Sequence, residues 1–209
     1  MRYAILRQGT SCSFSDADPF LAGGVPPDDA EVLVCLGASV PPGARHVAVL
    51  VELGTECLAD HVGLADQPTN VLGFARYRNG SDTPSNLIEL VSHAGVHDDA
   101  LEAARSVFER AGLTVAVCCD QAGRIIDRLV RPKYNSALRL LDEGLATQAD
   151  MDLTCRLGLG YPDGLIERVV RGGLANHFAI TSALFETYGS QGYAPARQAV
   201  VAARRKARP

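Results

Sequence analysis

The hydrophobic pattern of this chain changes near residue 95. Before that point the apolar residues occur in short runs rich in Val, Ile and Leu, separated by Gly, Pro, Asp and Asn, which predicts β-strands. After it they recur mainly at the spacing of amphipathic helices. The predicted strands are Arg2–Arg7, Glu31–Leu36, His46–Val51, Val71–Tyr77, Leu87–Val91 and Thr114–Cys119. We therefore expect a small α/β domain followed by an all-helical domain.

Two of the predicted strands indicate the type of sheet. Glu31–Leu36 and His46–Val51 are almost continuously apolar instead of alternating, which is typical of strands buried on both faces. Such strands usually run parallel, with helices packed outside, and this is the sheet we expect. Helices are predicted from Asp98 to Gly112, from about Gly123 to Glu143, from Thr147 onward, over Gly173–Tyr188 and over 195–208.

Composition narrows the class of protein. The chain has 209 residues, of which 47% are hydrophobic and 21% charged, as in ordinary globular proteins. The apolar runs are too short to span a bilayer, and Met1–Ala4 leads into no signal-peptide core, so we expect no membrane contact and a cytoplasmic location. Residues 1–93 carry 5 basic and 11 acidic side chains, and residues 94–209 carry 15 and 13. This division lacks the basic stripe of a nucleic-acid binder.

The six cysteines and five histidines form no recognisable metal motif. No two cysteines stand at a CxxC spacing, and most lie in apolar stretches, so we interpret them as small buried hydrophobic residues. His97, Asp98 and Asp99 are adjacent, but nothing supplies a third ligand at a defined spacing. We therefore predict no metal.

Several linked motifs in the second half resemble the 3-hydroxyacyl-CoA dehydrogenase family. Residues 120–129 read D-Q-A-G-R-I-I-D-R-L, where the family has D-x-P-G-F-x-x-N-R. Residues 135–144 match its N-E-A-x-x-L-x-E-G helix, and residues 157–164 match its G-x-G-Y-P-x-G-P turn. The resemblance extends more weakly back to about residue 45. It implies a shortened Rossmann-like parallel sheet over residues 1–119 and a helical dimerisation domain over residues 120–209.

The resemblance implies NAD as cofactor, but the glycine fingerprint that binds a dinucleotide is missing. That fingerprint, G-x-G-x-x-G, lets the backbone approach the pyrophosphate at a helix N-terminus. Gly9 is the one glycine after the first predicted strand, and the stretch Gly37–Gly43 contains a proline pair that prevents a helix from starting there. We therefore expect most of the first nucleotide-binding half to be absent.

The catalytic pair implied by the resemblance is also incomplete. The family uses a His in a G-x-H-F-F-N-P segment as the base and a Glu in the following strand to orient it. Alignment without a gap places Ala75 at the histidine position, and a one-residue gap places Arg76 there. Neither side chain takes a proton near neutral pH. Glu89 matches the orienting Glu, although it is also explained as an ordinary strand residue.

The resemblance also assigns substrate-binding positions. They are Asn79, Asp127, Arg128 and Arg131. The residue at 127 is Asn in the family motif, so Asp127 puts a negative charge at that position. Arg128, Arg131 and Lys133 have the geometry and charge to bind CoA phosphates, and a solvated helix face is the alternative explanation. His61, His93, His97 and His177 are the other histidines weighed as a relocated base. His93, four residues past Glu89, is the least implausible of them, but a loop histidine is the alternative explanation for it, and His177 on its apolar helix face is interpreted as a packed core histidine.

Two interpretations follow from these motifs. In the first, the protein is an accessory member of the family in acyl-CoA metabolism, which forms a homodimer through its helices or holds an acyl-CoA beside a full-length dehydrogenase. In the second, it is an active NAD-dependent 3-hydroxyacyl-CoA dehydrogenase with a relocated base, or with residues supplied by a partner chain. The first explains the missing His, the missing glycines and the short N-terminal region together.

Overall fold

The computed structural model describes residues 1–41, 45–63 and 69–208. These residues form two compact units. The α/β unit contains residues 1–78 and 84–124, and the helical unit contains residues 79–83 and 125–209. The sequence predicts its domain boundary at 119/120, a few residues before the change at 124/125.

The α/β unit is built on one six-stranded sheet whose strands lie side by side in sequence order. β1 to β4 run parallel, β5 is antiparallel to β4, and β6 is parallel to β5. The strands are β1 (Tyr3–Arg7), β2 (Val32–Leu36), β3 (Ala48–Glu52), β4 (Val71–Arg76), β5 (Leu87–Ser92) and β6 (Thr114–Cys119). The six predicted strands and the Rossmann-like class are thus confirmed.

The connections between the parallel strands differ from the expectation. A covering helix usually links parallel strands, but β1 and β2 are joined by a loop that holds only the four-residue helix α1 (Pro19–Ala22) and a 3₁₀ turn. The β3–β4 connection likewise holds the four-residue helix α2 (Ala59–Val62). The helices expected outside the sheet are therefore long in only one of the described connections between parallel strands. Only α3 (Asp98–Arg110), between β5 and β6, is a full crossover helix among the described residues.

An aromatic cluster replaces the missing helices on one face of the sheet. The rings of Phe14 and Phe20 stack with centroids 4.6 Å apart, and Phe20 stacks on Phe108 of α3 at 5.5 Å. Phe74 of β4 packs on Phe108 at 5.2 Å. Phe14 and Phe20 come from the β1–β2 loop, so this loop covers the sheet where a helix would otherwise lie.

The described residues of the helical unit, 79–83 and 125–208, form five α-helices. They are α4 (Ile126–Asp142), α5 (Gln148–Leu159), α6 (Leu165–Arg171), α7 (Leu174–Tyr188) and α8 (Arg197–Lys206). The sequence predicts four of them, and α6 is the one it misses. Their core is formed by Tyr134, Ala137, Leu138, Ile166, Val169 and Ala196. Leu129 of α4 is 59% exposed and lies outside this core.

The short segment 79–83 packs with the helical unit although it lies between β4 and β5 in sequence. Asn79 is buried and donates a hydrogen bond to the carbonyl of Arg168, with 3.0 Å between Nδ2 and O. Gly80 has a φ of +62°, and a Cβ there would lie 2.8 Å from the carbonyl oxygen of Arg171. Arg171 Nε also contacts Asp82 Oδ2 at 3.0 Å. This close approach requires glycine at position 80.

Candidate functional site

The strand register identifies the residue beside Glu89. β4 and β5 pair antiparallel with Ala75 directly opposite Glu89 and Arg76 opposite Ile88. Side chains that are directly opposite share a face of the sheet, whereas the next residue along points to the other face. Ala75 is thus the neighbour of Glu89. Arg76 instead pairs with Asp18, with 2.7 Å between Nη1 and Oδ2.

Glu89 is almost completely buried and pairs with an arginine that the sequence analysis does not single out. Glu89 is 3% exposed and Arg124 is 5% exposed. Arg124 Nε lies 3.7 Å from Glu89 Oε2, and Arg124 Nη2 donates a hydrogen bond to the carbonyl of Gly54. A guanidinium stays protonated, so it neutralises the carboxylate but cannot exchange a proton with it. The sequence does contain one signal for this pair: Arg124 is a charged residue at the position where the family motif has Phe.

The substrate-binding candidates Asp127 and Arg131 contact each other in the helical unit. Arg131 Nε lies 2.8 Å from Asp127 Oδ1, one helical turn apart on α4. Arg131 is 6% exposed, so the alternative of a solvated helix face is wrong for this residue. The Asp at the family's Asn position is therefore balanced by a neighbouring cation. Their role in binding substrate stays a prediction.

Arg128 and Asn79 also have partners within the helical unit. The Arg128 guanidinium lies over the ring of Tyr188, 4.6 Å from its centroid, and its pKa is raised by a hydrogen bond with Tyr193. Asn79 binds the Arg168 carbonyl, as described above. Glu89 belongs to the α/β unit, so the predicted residues fall on both units. CoA binding by Arg128 or Asn79 stays a prediction.

A buried polar network lies behind Arg131, and the sequence analysis did not identify it. Asn135 Oδ1 lies 2.9 Å from His177 Nε2, and Asn135 Nδ2 donates to Thr181 Oγ1 at 2.8 Å and to the carbonyl of Gly192 at 2.9 Å. Arg131 Nη1 lies 3.4 Å from His177 Nδ1. Burial, together with the charge of Arg131, lowers the pKa of His177 to about 3. His177 is therefore neutral and unsuited to act as a base near pH 7.

A cavity of about 300 Å³ lies at the carboxyl ends of β1, β2 and β3, where α/β sheets commonly bind ligands. Glu52 and Glu56 both line it. Gly9 and Gly37 pack against each other, and a Cβ at Gly37 would lie 3.0 Å from Gly9 Cα. These glycines therefore serve a contact between chain segments. Pro42 and Gly43, the end of the second predicted glycine stretch, lie outside the described residues.

The same cavity holds the one histidine that pairs with a carboxylate among the described residues. His61 Nε2 lies 3.3 Å from Glu56 Oε1. Burial opposes ionisation of Glu56, but hydrogen bonds from the Gly54 and Glu56 backbone N–H groups and from His61 outweigh it and lower the pKa of Glu56. His93, the least implausible candidate in sequence, accepts a hydrogen bond at Nδ1 from its own loop, at Gly95 N.

The cysteines differ from the sequence interpretation. Cys35 is buried, but Cys12 and Cys119 are exposed and the other three are partly exposed, so the prediction of buried cysteines is right only for Cys35. Burial raises the pKa of Cys35 to about 11. Within residues 1–41, 45–63 and 69–208, no cluster of His, Cys, Asp and Glu is suited to a metal ion. No helix of the described chain has the length and apolar composition needed to cross a bilayer.

Comparison with known proteins shows which proteins the helical unit is similar to. Residues 123–209 match the family model of the 3-hydroxyacyl-CoA dehydrogenase C-terminal domain. A probable 3-hydroxyacyl-CoA dehydrogenase of Caenorhabditis elegans is 36% identical over 81 residues, which make up 39% of this chain. The chain covers only 26% of the length of that relative.

Solved structures extend the likeness to both units. FadB2 of M. tuberculosis matches with a TM-score of 0.72 at 20% identity, over 85% of this chain and 67% of that one. The (S)-3-hydroxybutyryl-CoA dehydrogenase PaaH1 of Ralstonia eutropha matches with a TM-score of 0.73 at 17% identity, over 88% and 70%. At these identities the likeness shows the shared fold. Residues 123–209, in turn, are similar to the C-terminal domain of the 3-hydroxyacyl-CoA dehydrogenases.

Proposed function

We propose that this protein is a non-catalytic, accessory member of the family that holds an acyl-CoA in acyl-CoA metabolism. The observation that carries the proposal is the pairing of Ala75 with Glu89 across β4 and β5. The family resemblance requires a histidine at this position, and a methyl group stands there instead. Arg124, the arginine paired with Glu89, cannot accept the hydroxyl proton of a 3-hydroxyacyl substrate.

The cavity at the ends of β1 to β3 does not fit the diphosphate of NAD, the cofactor that the resemblance implies. Diphosphate sites use glycine backbone N–H groups at a helix N-terminus, often with a cation nearby. Here two glutamates line the cavity, and the helix that follows β1 is only four residues long. The like charges of carboxylate and diphosphate repel each other. We therefore propose that NAD is not bound by the family's usual route.

NADH oxidation in the presence of acetoacetyl-CoA tests the absence of catalysis. We expect no turnover above the uncatalysed rate, even at high protein concentration. The double substitution Ala75→His and Arg124→Phe restores both family residues beside Glu89. Turnover by this variant would show that the incomplete catalytic pair of His and Glu was the one obstacle to catalysis. Turnover by the natural chain would overturn the proposal.

The active dehydrogenase remains the second candidate, because His61 and Glu56 form a histidine–carboxylate pair in a cavity. On this alternative, His61 is the relocated base. It predicts slow turnover that His61→Gln abolishes and that His97→Gln, at an exposed histidine outside the cavity, leaves unchanged. Turnover that appears only when a full-length dehydrogenase is added would instead support residues supplied by a partner chain.

We propose a homodimer formed through the helical unit. Leu153 and Leu157 lie one turn apart on α5 and are 48% and 79% exposed, and Leu145, before that helix, is 66% exposed. Exposed large apolar side chains such as these are typical of a surface that a partner covers. Light scattering at micromolar concentration should give a dimer, and Leu157→Lys should give a monomer. Thr187→Lys, on the exposed end of α7, is the matched control, and a monomeric natural chain would contradict the proposal.

A further inference from the structure

The guanidinium of Arg124 has hydrogen-bond donors that no group of the described chain uses. Its Nη2 donates to the carbonyl of Gly54, but Nε and Nη1 are buried and have no hydrogen-bond partner among the described residues. The 3.7 Å between Nε and Glu89 Oε2 allows an ion pair but is too long for a hydrogen bond. A buried donor without an acceptor is costly, so these N–H groups are available to an acceptor from another molecule.

The backbone holds Arg124 in an unusual conformation. Arg124 has a φ of +48° and is the only non-glycine residue with positive φ in the described part of the chain. It follows Gly123, whose φ is +72° and whose N–H donates to the carbonyl of Thr55. The turn before α4 is therefore tied to the loop after β3. A conformation that costs free energy persists because its surroundings fix it, and here they fix the guanidinium beside Glu89.

The neighbours of Glu89 on both adjacent strands are small. Ala75 is its partner on β4, and Ala116 is its partner on β6. On the shared face, each contributes a single methyl group beside the carboxylate. A carboxylate, a guanidinium with unused donors and two alanines therefore meet within the α/β unit. This is the chemistry of a site that recognises one oxygen atom of a ligand.

We propose that Arg124 determines ligand specificity by donating hydrogen bonds to the C3 carbonyl oxygen of a bound 3-oxoacyl thioester. The inference rests on the proposed function, since it requires that the chain binds acyl-CoA. A carbonyl oxygen only accepts hydrogen bonds and a guanidinium only donates them, so the two groups match. Glu89 positions the guanidinium by its charge. Arg124 does not exchange protons, so it cannot supply the proton that the oxygen would need if a hydride reduced the carbonyl.

Titration calorimetry with acetoacetyl-CoA and butyryl-CoA tests this role, because the two ligands differ only in the C3 carbonyl. We expect the natural chain to bind acetoacetyl-CoA about tenfold more tightly, which corresponds to about 1.4 kcal/mol. Arg124→Gln should reduce the difference to less than about twofold. Arg105→Gln is the matched control, because Arg105 is an exposed arginine of the same unit that pairs with Glu109. It should retain the full preference.

Each outcome of the titration has a separate meaning. Equal affinity of the natural chain for the two thioesters, or a preference that survives in Arg124→Gln, overturns the role of Arg124 and leaves acyl-CoA binding intact. Binding of neither thioester by the folded natural chain overturns the proposed function itself. If Arg124→Gln does not fold, the double variant Arg124→Gln, Glu89→Gln removes both charges of the pair. It should show the same loss of preference.

Discussion

The two units each bury an arginine, and the surroundings of the two arginines differ. Arg131 of the helical unit pairs with Asp127 and contacts His177, and a satisfied network around Asn135 continues from there. Arg124 of the α/β unit has one hydrogen bond to the protein and a carboxylate at 3.7 Å. A buried charge whose partners all belong to the chain is explained by folding alone. A buried charge with unused donors is not, and for Arg124 we propose a ligand as the missing partner.

The largest effect is expected from Asn135→Ala in the helical network. Asn135 makes hydrogen bonds with His177, Thr181, the Gly192 carbonyl and the Ala196 N–H, and all four groups lose a partner when the amide is removed. We expect the free energy of unfolding, measured with urea, to fall by about 3–5 kcal/mol. Asn176→Ala, on the exposed side of α7, is the matched control and should cost less than about 0.5 kcal/mol. Similar effects of the two substitutions would refute a satisfied network.

Glu89→Gln tests the other side of the comparison. It leaves the buried guanidinium of Arg124 without its counter-charge, and we expect the free energy of unfolding to fall by about 3 kcal/mol. Adding Arg124→Gln should recover a large part of this loss, because neither charge then remains buried. A double-mutant cycle in urea measures the coupling between them. Additive losses would show that Glu89 and Arg124 do not interact.

The low pKa of His177 predicts a loss of stability in acid. The folded protein keeps this imidazole neutral down to about pH 3, whereas the unfolded chain protonates it below its ordinary pKa of about 6.5. The unfolded state then binds more protons, so the contribution of His177 is present above pH 6.5 and decreases as the pH falls toward 3. We expect the natural chain to lose on the order of 2 kcal/mol more than His177→Gln between pH 7 and pH 4. Parallel stability curves for the two proteins would contradict this.

The smallest effect is expected from Asp127→Asn, which restores the residue of the family motif. An Asn oxygen still accepts a hydrogen bond from Arg131 Nε, and His177 still contacts the guanidinium, so only the charge is lost. We expect a cost of about 1 kcal/mol in thermal or urea unfolding, well below that of Glu89→Gln. A cost as large as that of Glu89→Gln would mean that the two arginines depend equally on their carboxylates.

The sequence predicts the strands well because each buried strand must be apolar along its length. β2 is buried at all five positions, and its residues in the sequence are correspondingly apolar. It does not predict what covers the sheet, since that depends on Phe14 and Phe20, two aromatic residues in a loop otherwise rich in Asp, Gly and Pro. The helix α6 is missed because seven residues with three charges give too short a periodic pattern.

The candidate site could be predicted only in part. The motif leaves Ala75 and Arg76 both open for the histidine position, and the sequence does not say which of them faces Glu89; the strand register pairs Glu89 with Ala75. The Glu89–Arg124 pair joins residues far apart in sequence, and no local pattern reports such a contact. Asp127 and Arg131 are one helical turn apart, so their pairing could have been inferred from spacing alone.

The placement of residues 79–83 has a consequence for modularity. A fragment that starts at residue 125 would hold all five helices but would lack Asn79, the donor to the Arg168 carbonyl, and Asp82, a partner of Arg171. The Arg168 carbonyl and the Arg171 guanidinium, near the end of α6, would therefore each lose a polar partner. Five residues of the helical unit, 79–83, are encoded between two stretches of the α/β unit. Recombination that copies one continuous stretch of the gene would therefore not transfer the complete helical unit.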